Sequence, residues 1–163
     1  MAKTPEQLFT RRAAVAIALS LGAAPALAAP RRRVVTVLGD SITAGLGLPA
    51  ADALPARLEA ALLHAGIPAR VRGAGVSGDT TASGLARVDF SVQADTDVCV
   101  VALGGNDLLN GYDVGATRAN LDRIVRRLRA RRIGVVVAGL AAPMAIGAGY
   151  ARDFTAIFPA VAR

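Results

Sequence analysis

The amino-acid sequence predicts an α/β domain built on a parallel sheet. Two kinds of segment alternate along residues 34–162. Short β-branched runs end at or beside glycine, and longer stretches carry apolar residues at helical spacing. Strands separated by helices in this way are joined by crossovers, which lay helices on both faces of a parallel sheet. No repeat, low-complexity tract or internal linker interrupts the alternation.

The elements follow in order. Residues 34–38, Val-Val-Thr-Val-Leu, read as a buried strand that ends at Gly39. In residues 54–65, Leu54, Leu58, Ala61 and Leu62 share a helical face, and Gly66 is the stop signal. Residues 69–72 make a second short strand running into Gly73-Ala74-Gly75, and a short helix is expected over 81–88. A third strand spans 97–103. A longer helix spans 114–131, with Leu121, Ile124, Val125 and Leu128 on its apolar stripe. Residues 133–140 give a fourth strand and 150–162 a last amphipathic helix.

A chain of 163 residues suffices for one domain with a sizeable core. It is 53% hydrophobic but 4% aromatic, so that core is built from Ala, Val, Leu and Ile. The formal charge is +7, and all but Lys3 of the 19 basic residues are Arg. A basic balance can attract anionic lipid or nucleic acid. No aromatics interleave with these arginines as a base-stacking surface requires, so no nucleic-acid partner is expected. Arg118, Arg123, Arg126, Arg127, Arg129, Arg131 and Arg132 gather near the end of the long helix, where cations complement its dipole. They are read as a solvated face rather than a phosphate site. Cys99, the sole cysteine, has no partner for an intrachain disulfide and sits in an apolar run, where thiols are inert.

The first residues read as an address. Arg11-Arg12 precedes an apolar stretch over 13–21, and Ala26-Leu27-Ala28 offers a small-x-small cleavage site. Positive, apolar and cleavage regions in that order mark a signal peptide over residues 1–29, cut after Ala28 or Ala29. Thr10-Arg11-Arg12 has the flavour of a twin-arginine signal. As an uncleaved anchor the stretch is short, rich in Ala and interrupted by Gly22 and Pro25. The expectation is therefore export to the periplasm or cell exterior, leaving a domain over residues 30–163.

Three motifs carry the chemistry. In an open parallel sheet, ligands bind beyond the carboxyl ends of the strands. Ser41 follows the first strand, Gly78 the second and Asn106 the third. A serine hydroxyl can attack a carbonyl carbon, which leaves negative charge on the carbonyl oxygen. The backbone N–H of Gly78, the side-chain amide of Asn106 and the N–H of Ser41 itself are candidate donors to that oxygen. Asp107 reads as a helix cap or loop support. Gly73-Ala74-Gly75-Val76-Ser77-Gly78 also matches the dinucleotide fingerprint after a strand, a weak signal by itself.

These blocks, in this order, resemble the SGNH hydrolase superfamily, also called GDSL esterases. Gly39-Asp40-Ser41-Ile42-Thr43-Ala44-Gly45 matches the first block, Ser77-Gly78-Asp79-Thr80-Thr81 the second and Leu103-Gly104-Gly105-Asn106-Asp107 the third. Segments 79–87 and 149–154 are similar to the periplasmic thioesterase/lysophospholipase/arylesterase subgroup, and the similarity covers nearly all of residues 34–163. The resemblance implies a flavodoxin-like three-layer α/β/α sandwich. It implies Ser41 as the nucleophile of an acyl-enzyme mechanism, and Ser41, Gly78 and Asn106 as oxyanion donors, supported by Asp40 and Asp107. It implies no metal and no organic cofactor. The implied substrates are small acyl esters, thioesters or lysophospholipids, with at most transient contact with a membrane surface. A monomer is expected.

The family's general base is a His in an Asp-x-x-His block, and that block has no match here. After Asp122 the only acid is Asp153, with Ala156 three residues on, and no histidine follows His64. The expectation is a sandwich lacking its C-terminal strand and helix, with neither catalytic Asp nor catalytic His, and impaired turnover. His64 falls at the far end of the helix after Ser41, which runs back down the sheet, so a helix-end role is expected of it. The alternative function is a non-catalytic acyl- or lipid-binding protein of the same fold. Leu46, Leu48, Leu108, Leu109, Met144 and Ile146 lie beside the motifs and fit an acyl groove and loop packing equally well.

Overall fold

Each apolar run becomes a strand of one parallel sheet. A computed structural model describes residues 31–163, and the signal peptide read over 1–29 lies outside the described residues. Strands β1 (Arg33–Gly39), β2 (Ala69–Gly75), β3 (Val98–Ala102) and β4 (Gly134–Val137) stand in the order β2-β1-β3-β4, all parallel. The helices are α1 (Ser41–Ala44), α2 (Leu54–His64), α3 (Thr81–Ser91), α4 (Gly105–Leu109), α5 (Val114–Ala130) and α6 (Ala148–Ala162). Single 3₁₀ turns occupy Ala50–Asp52 and Met144–Ile146.

Register decides which side chains share a face. Thr36 pairs with Cys99 and Leu38 with Val101, and Val135 and Val137 of β4 continue that face. Helices α3, α5 and α6 pack on it. Leu85 and Val88, Leu121 to Leu128, and Phe154 to Phe158 close a core with Cys99 and Val101 that excludes water. Burying an apolar side chain of this size contributes about 1.5–3 kcal/mol. The opposite face carries Val35, Val37, Val98, Val100 and Val136. Helix α2 packs against β2 on this side. Val37 is wholly buried, but Val136 remains 52% exposed. Helices therefore do lie on both faces, as expected, but among the described residues no helix covers the second face at β4. Val35, Leu58, Leu62, Val98, Val100 and Val136 line an apolar hollow of about 250 Å³ there.

Several boundaries differ from the sequence reading. β2 runs on to Gly75 because Gly73, Ala74 and Gly75 pair in register with Val37, Leu38 and Gly39. β4 is shorter than 133–140: Ile133 belongs to a turn that contains Arg132 at φ +61°, and β3, its one partner, ends at Ala102. Helices α1 and α4 hold four and five residues, too few for a period to show. The arginine-rich end of α5 is more than a solvated face. Arg127 reaches Leu85 O at 3.4 Å and Asp89 Oδ2 at 3.2 Å, and Arg131 donates to Val92 O. These two side chains tie α5 to α3 and its exit. Among the described residues no helix is long and apolar enough to cross a membrane.

Candidate active site

The nucleophile segment is set by its neighbours. Asp40 caps α1: its Oδ1 accepts the Ile42 N–H at 3.0 Å, and its carbonyl accepts Ala44 N–H at 2.9 Å. Ser41 is thereby the first residue of α1, at the carboxyl end of β1. The adjacent end of β2 must be bare for α1 to pass. A Cβ on Gly75 would lie 2.3 Å from Ala44 N and 2.7 Å from Asp40 O.

Beyond β2 the chain makes a turn over residues 76–79, closed by Asp79 N–H to Val76 O at 3.1 Å. Gly78 occupies its third position at φ +85°, the left-handed value that type II turns demand there. A Cβ at Gly78 would meet nothing within 4 Å. Within the domain, glycine is needed there for the backbone angle and not to relieve crowding by neighbouring protein atoms. The turn is fastened to β1 through Val76 N–H to Gly39 O at 3.1 Å.

Asn106 stands in α4 beyond β3, and its Nδ2 donates to Asp79 O at 2.8 Å. One amide N–H is spent on that bond, and the other is left for a ligand. Asp107 faces the other way and is 2% exposed. Its carboxylate accepts Thr81 N–H at 2.8 Å and Thr81 Oγ1–H at 2.6 Å, with Thr117 Oγ1 at 3.4 Å. It thus bolts the start of α3 to α4. Asp40 touches α4 as well, since a Cβ on Gly105 would lie 3.2 Å from Asp40 Oδ2. The three loops named by the motifs therefore meet at one rim of the sheet.

Other candidates fall away. His64 is the exposed last residue of α2, whose 11 residues rise about 16 Å from Leu54. Cys99 is wholly buried, and desolvation pushes its thiol up to about 12. The dinucleotide reading fails on geometry: Gly73 and Gly75 lie inside β2, which leaves Gly78 alone of the three glycines in the loop that leads into α3. Among the described residues no three His, Cys, Asp or Glu side chains cluster as metal ligands would.

The rim is apolar. Leu108, Leu109, Gly111, Ile146 and Tyr150 line a cavity of about 440 Å³ beside α4. Leu46, Leu48 and Met144 are 71%, 55% and 57% exposed, so packing does not account for them. Tyr150 donates its hydroxyl to Tyr112 O at 2.8 Å. Burial, then Asp107 and Asp113, raise its pKa above the ordinary phenol value. Sequence reasoning assigned no role to Thr81, Asn120 or Arg87. Asn120 donates to Thr81 Oγ1 at 3.2 Å, and Arg87 donates to Asp79 Oδ2 at 2.6 Å and to Gly39 O at 2.9 Å. These bonds join separate elements, and no local pattern announces them.

Comparison with known proteins agrees with this architecture. Residues 37–163 match the model of the GDSL-like Lipase/Acylhydrolase family. The solved structure of AlinE4, an SGNH-hydrolase family esterase, superposes with a TM-score of 0.78 at 44% identity, covering 82% of this chain and 72% of that one. Esterase TesA of Pseudomonas aeruginosa is 36% identical over 80% of this chain and 65% of its own length. Thioesterase 1/protease 1/lysophospholipase L1 of Escherichia coli K12 is 33% identical over 78% of this chain and 60% of its own. The chain thus spans less than two thirds of the length of these two curated relatives. On the family match and the shared sheet, the chain belongs to the GDSL-like lipase/acylhydrolase family.

Proposed function

We propose that this chain is the nucleophile- and oxyanion-bearing part of a carboxylic ester or thioester hydrolase. The observation that carries the reading is the bond from Asn106 to Asp79 O, which draws the Asn106 amide onto the Gly78 turn beside the end of β1. Ser41 Oγ attacks the acyl carbon, and the carbonyl oxygen takes up charge facing the Gly78 N–H, the Asn106 amide and the Ser41 N–H. The Ser41 proton passes to solvent, and the carbonyl re-forms as the C–O or C–S bond breaks. The departing alkoxide or thiolate takes a proton from solvent, and water then hydrolyses the Ser41 ester to a carboxylic acid and the free serine hydroxyl. Each such donor contributes roughly a hundredfold or more in rate.

Acyl esters, thioesters and lysophospholipids fit the cavity that Leu108, Leu109, Ile146 and Tyr150 line beside α4, and relatives carry esterase, thioesterase and lysophospholipase in their names. The leader read over residues 1–29 makes the enzyme an exported one. Residues 31–163 offer Ser41 no imidazole, since His64 is carried off by α2. Serine hydrolases of another fold lose up to about a millionfold without theirs. Turnover by this chain alone is therefore expected to be slight, which keeps acyl binding without hydrolysis as a second reading.

Labelling with a long-chain fluorophosphonate, followed by mass spectrometry, tests the proposal. Slow modification of Ser41 is expected, lost in Ser41→Ala and at least a hundredfold slower in Asn106→Ala. Saturable fatty-acid binding with Ser41 never modified would favour the binding protein. Label that persists in Ser41→Ala would defeat the assignment of the nucleophile.

A further inference from the structure

Arg87 lies in the middle of α3, and all three of its guanidinium nitrogens are engaged. Nε donates to Asp79 Oδ2 at 2.6 Å, Nη1 to Ser91 Oγ at 3.0 Å and Nη2 to Gly39 O at 2.9 Å. Gly39 is the last residue of β1, two before Ser41, and Asp79 directly follows Gly78. We propose that Arg87 is a positioning residue that fixes the spacing between the Ser41 hydroxyl and the Gly78 N–H by clamping the end of β1 to the 76–79 turn. The proposal rests on the acyl-transfer reading of those two residues.

Without this clamp the turn is fastened by single hydrogen bonds, Val76 N–H to Gly39 O and Asn106 Nδ2–H to Asp79 O. A single bond is a pivot. A planar guanidinium bonded to both segments sets a distance, and a flexible ammonium does not reproduce that fork. Ser91 holds the group from its own helix, so it is oriented before any substrate arrives. The side chains of Arg87 and Asp79 are 19% and 10% exposed, which shields their bond from the screening that weakens surface pairs. Arg126 and Asp122 show the contrast: they are 72% and 42% exposed, lie on one helix and constrain nothing beyond it.

Two variants test the clamp, Arg87→Lys and Asp79→Asn, each with two readouts on residues 31–163. The first readout is fluorophosphonate modification of Ser41, in which the Oγ–P bond forms, fluoride leaves and the serine proton passes to solvent. We expect the maximal rate to fall about tenfold to a hundredfold, the cost of misplacing reacting groups by roughly an ångström, while the concentration for half-saturation stays within twofold. The second is the Gly78 amide cross-peak in ¹H–¹⁵N spectra, which should move or broaden while α5 amides hold their positions. A role confined to stability would lower the melting temperature and leave both readouts unchanged well below it. If wild-type Ser41 is never labelled, the esterase reading fails, and the Gly78 cross-peak alone judges the clamp. The proposal is overturned if either folded variant shows an unmoved Gly78 peak, or if both variants fail to fold.

Discussion

Asp107 does more for the site than its place beside Asn106 suggests. Its buried carboxylate receives the N–H and the hydroxyl of Thr81, the first residue of α3, and so holds that helix against α4. Removing it leaves two buried donors without an acceptor. Hydrogen bonds to charged groups are each worth about 1.5–3 kcal/mol, so Asp107→Ala should cost about 3 kcal/mol, read as a lower urea midpoint. Cys99 acts in the opposite sense, as a group kept neutral. Burial lifts its thiol from an ordinary value of 9.0 to about 12, so the unfolded chain gives up that proton before the folded one does. Stability should be unaffected by this group below pH 9 and should decline from there to about pH 12. A Cys99→Ala comparison by urea titration at pH 7 and pH 10.5 isolates the effect. The same burial predicts that thiol reagents label Cys99 only as fast as the fold opens.

At the scale of elements, the two edge strands are treated differently. Glu59 reaches from α2 to accept the Val71 N–H at 2.7 Å, closing the open side of β2. Among the described residues β4 pairs with β3 alone and presents Val136 outward. Exposed apolar edges invite association. Val136→Lys should therefore reduce binding of an apolar dye and raise the concentration at which residues 31–163 associate, measured by dye fluorescence and sedimentation. The strands and long helices were legible in the sequence because each carries its own period and its own glycine stop. The start of α1 at Ser41 was not, because four residues are too few to show a period, and neither was the extension of β2, which depends on pairing with β1 more than thirty residues away. The site was legible in part. Ser41, Gly78 and Asn106 announced themselves by their motifs and their place after strands. Arg87, Thr81 and Asn120 act across loops on residues 8 to 48 positions removed, so no short window of sequence displays the set of pairings.

Across the whole domain, one sheet face is sealed by three helices while the other is sealed over β2 and β1 only. The rim that gathers the three motif loops stands at the carboxyl ends of the strands, so its geometry rests on the sealed face, through Leu103, Leu121 and Phe154. Changes on the bare face, such as Val136→Lys, should accordingly leave Ser41 labelling unaltered. The chain has no tryptophan and two tyrosines; Tyr150 lines the cavity beside α4 and donates its hydroxyl to Tyr112 O. Intrinsic ultraviolet emission of the domain therefore originates almost entirely from two side chains, one of which lines that cavity. If the proposed acyl chain enters there, the glow of the protein should change, and occupancy would be visible without any attached reporter.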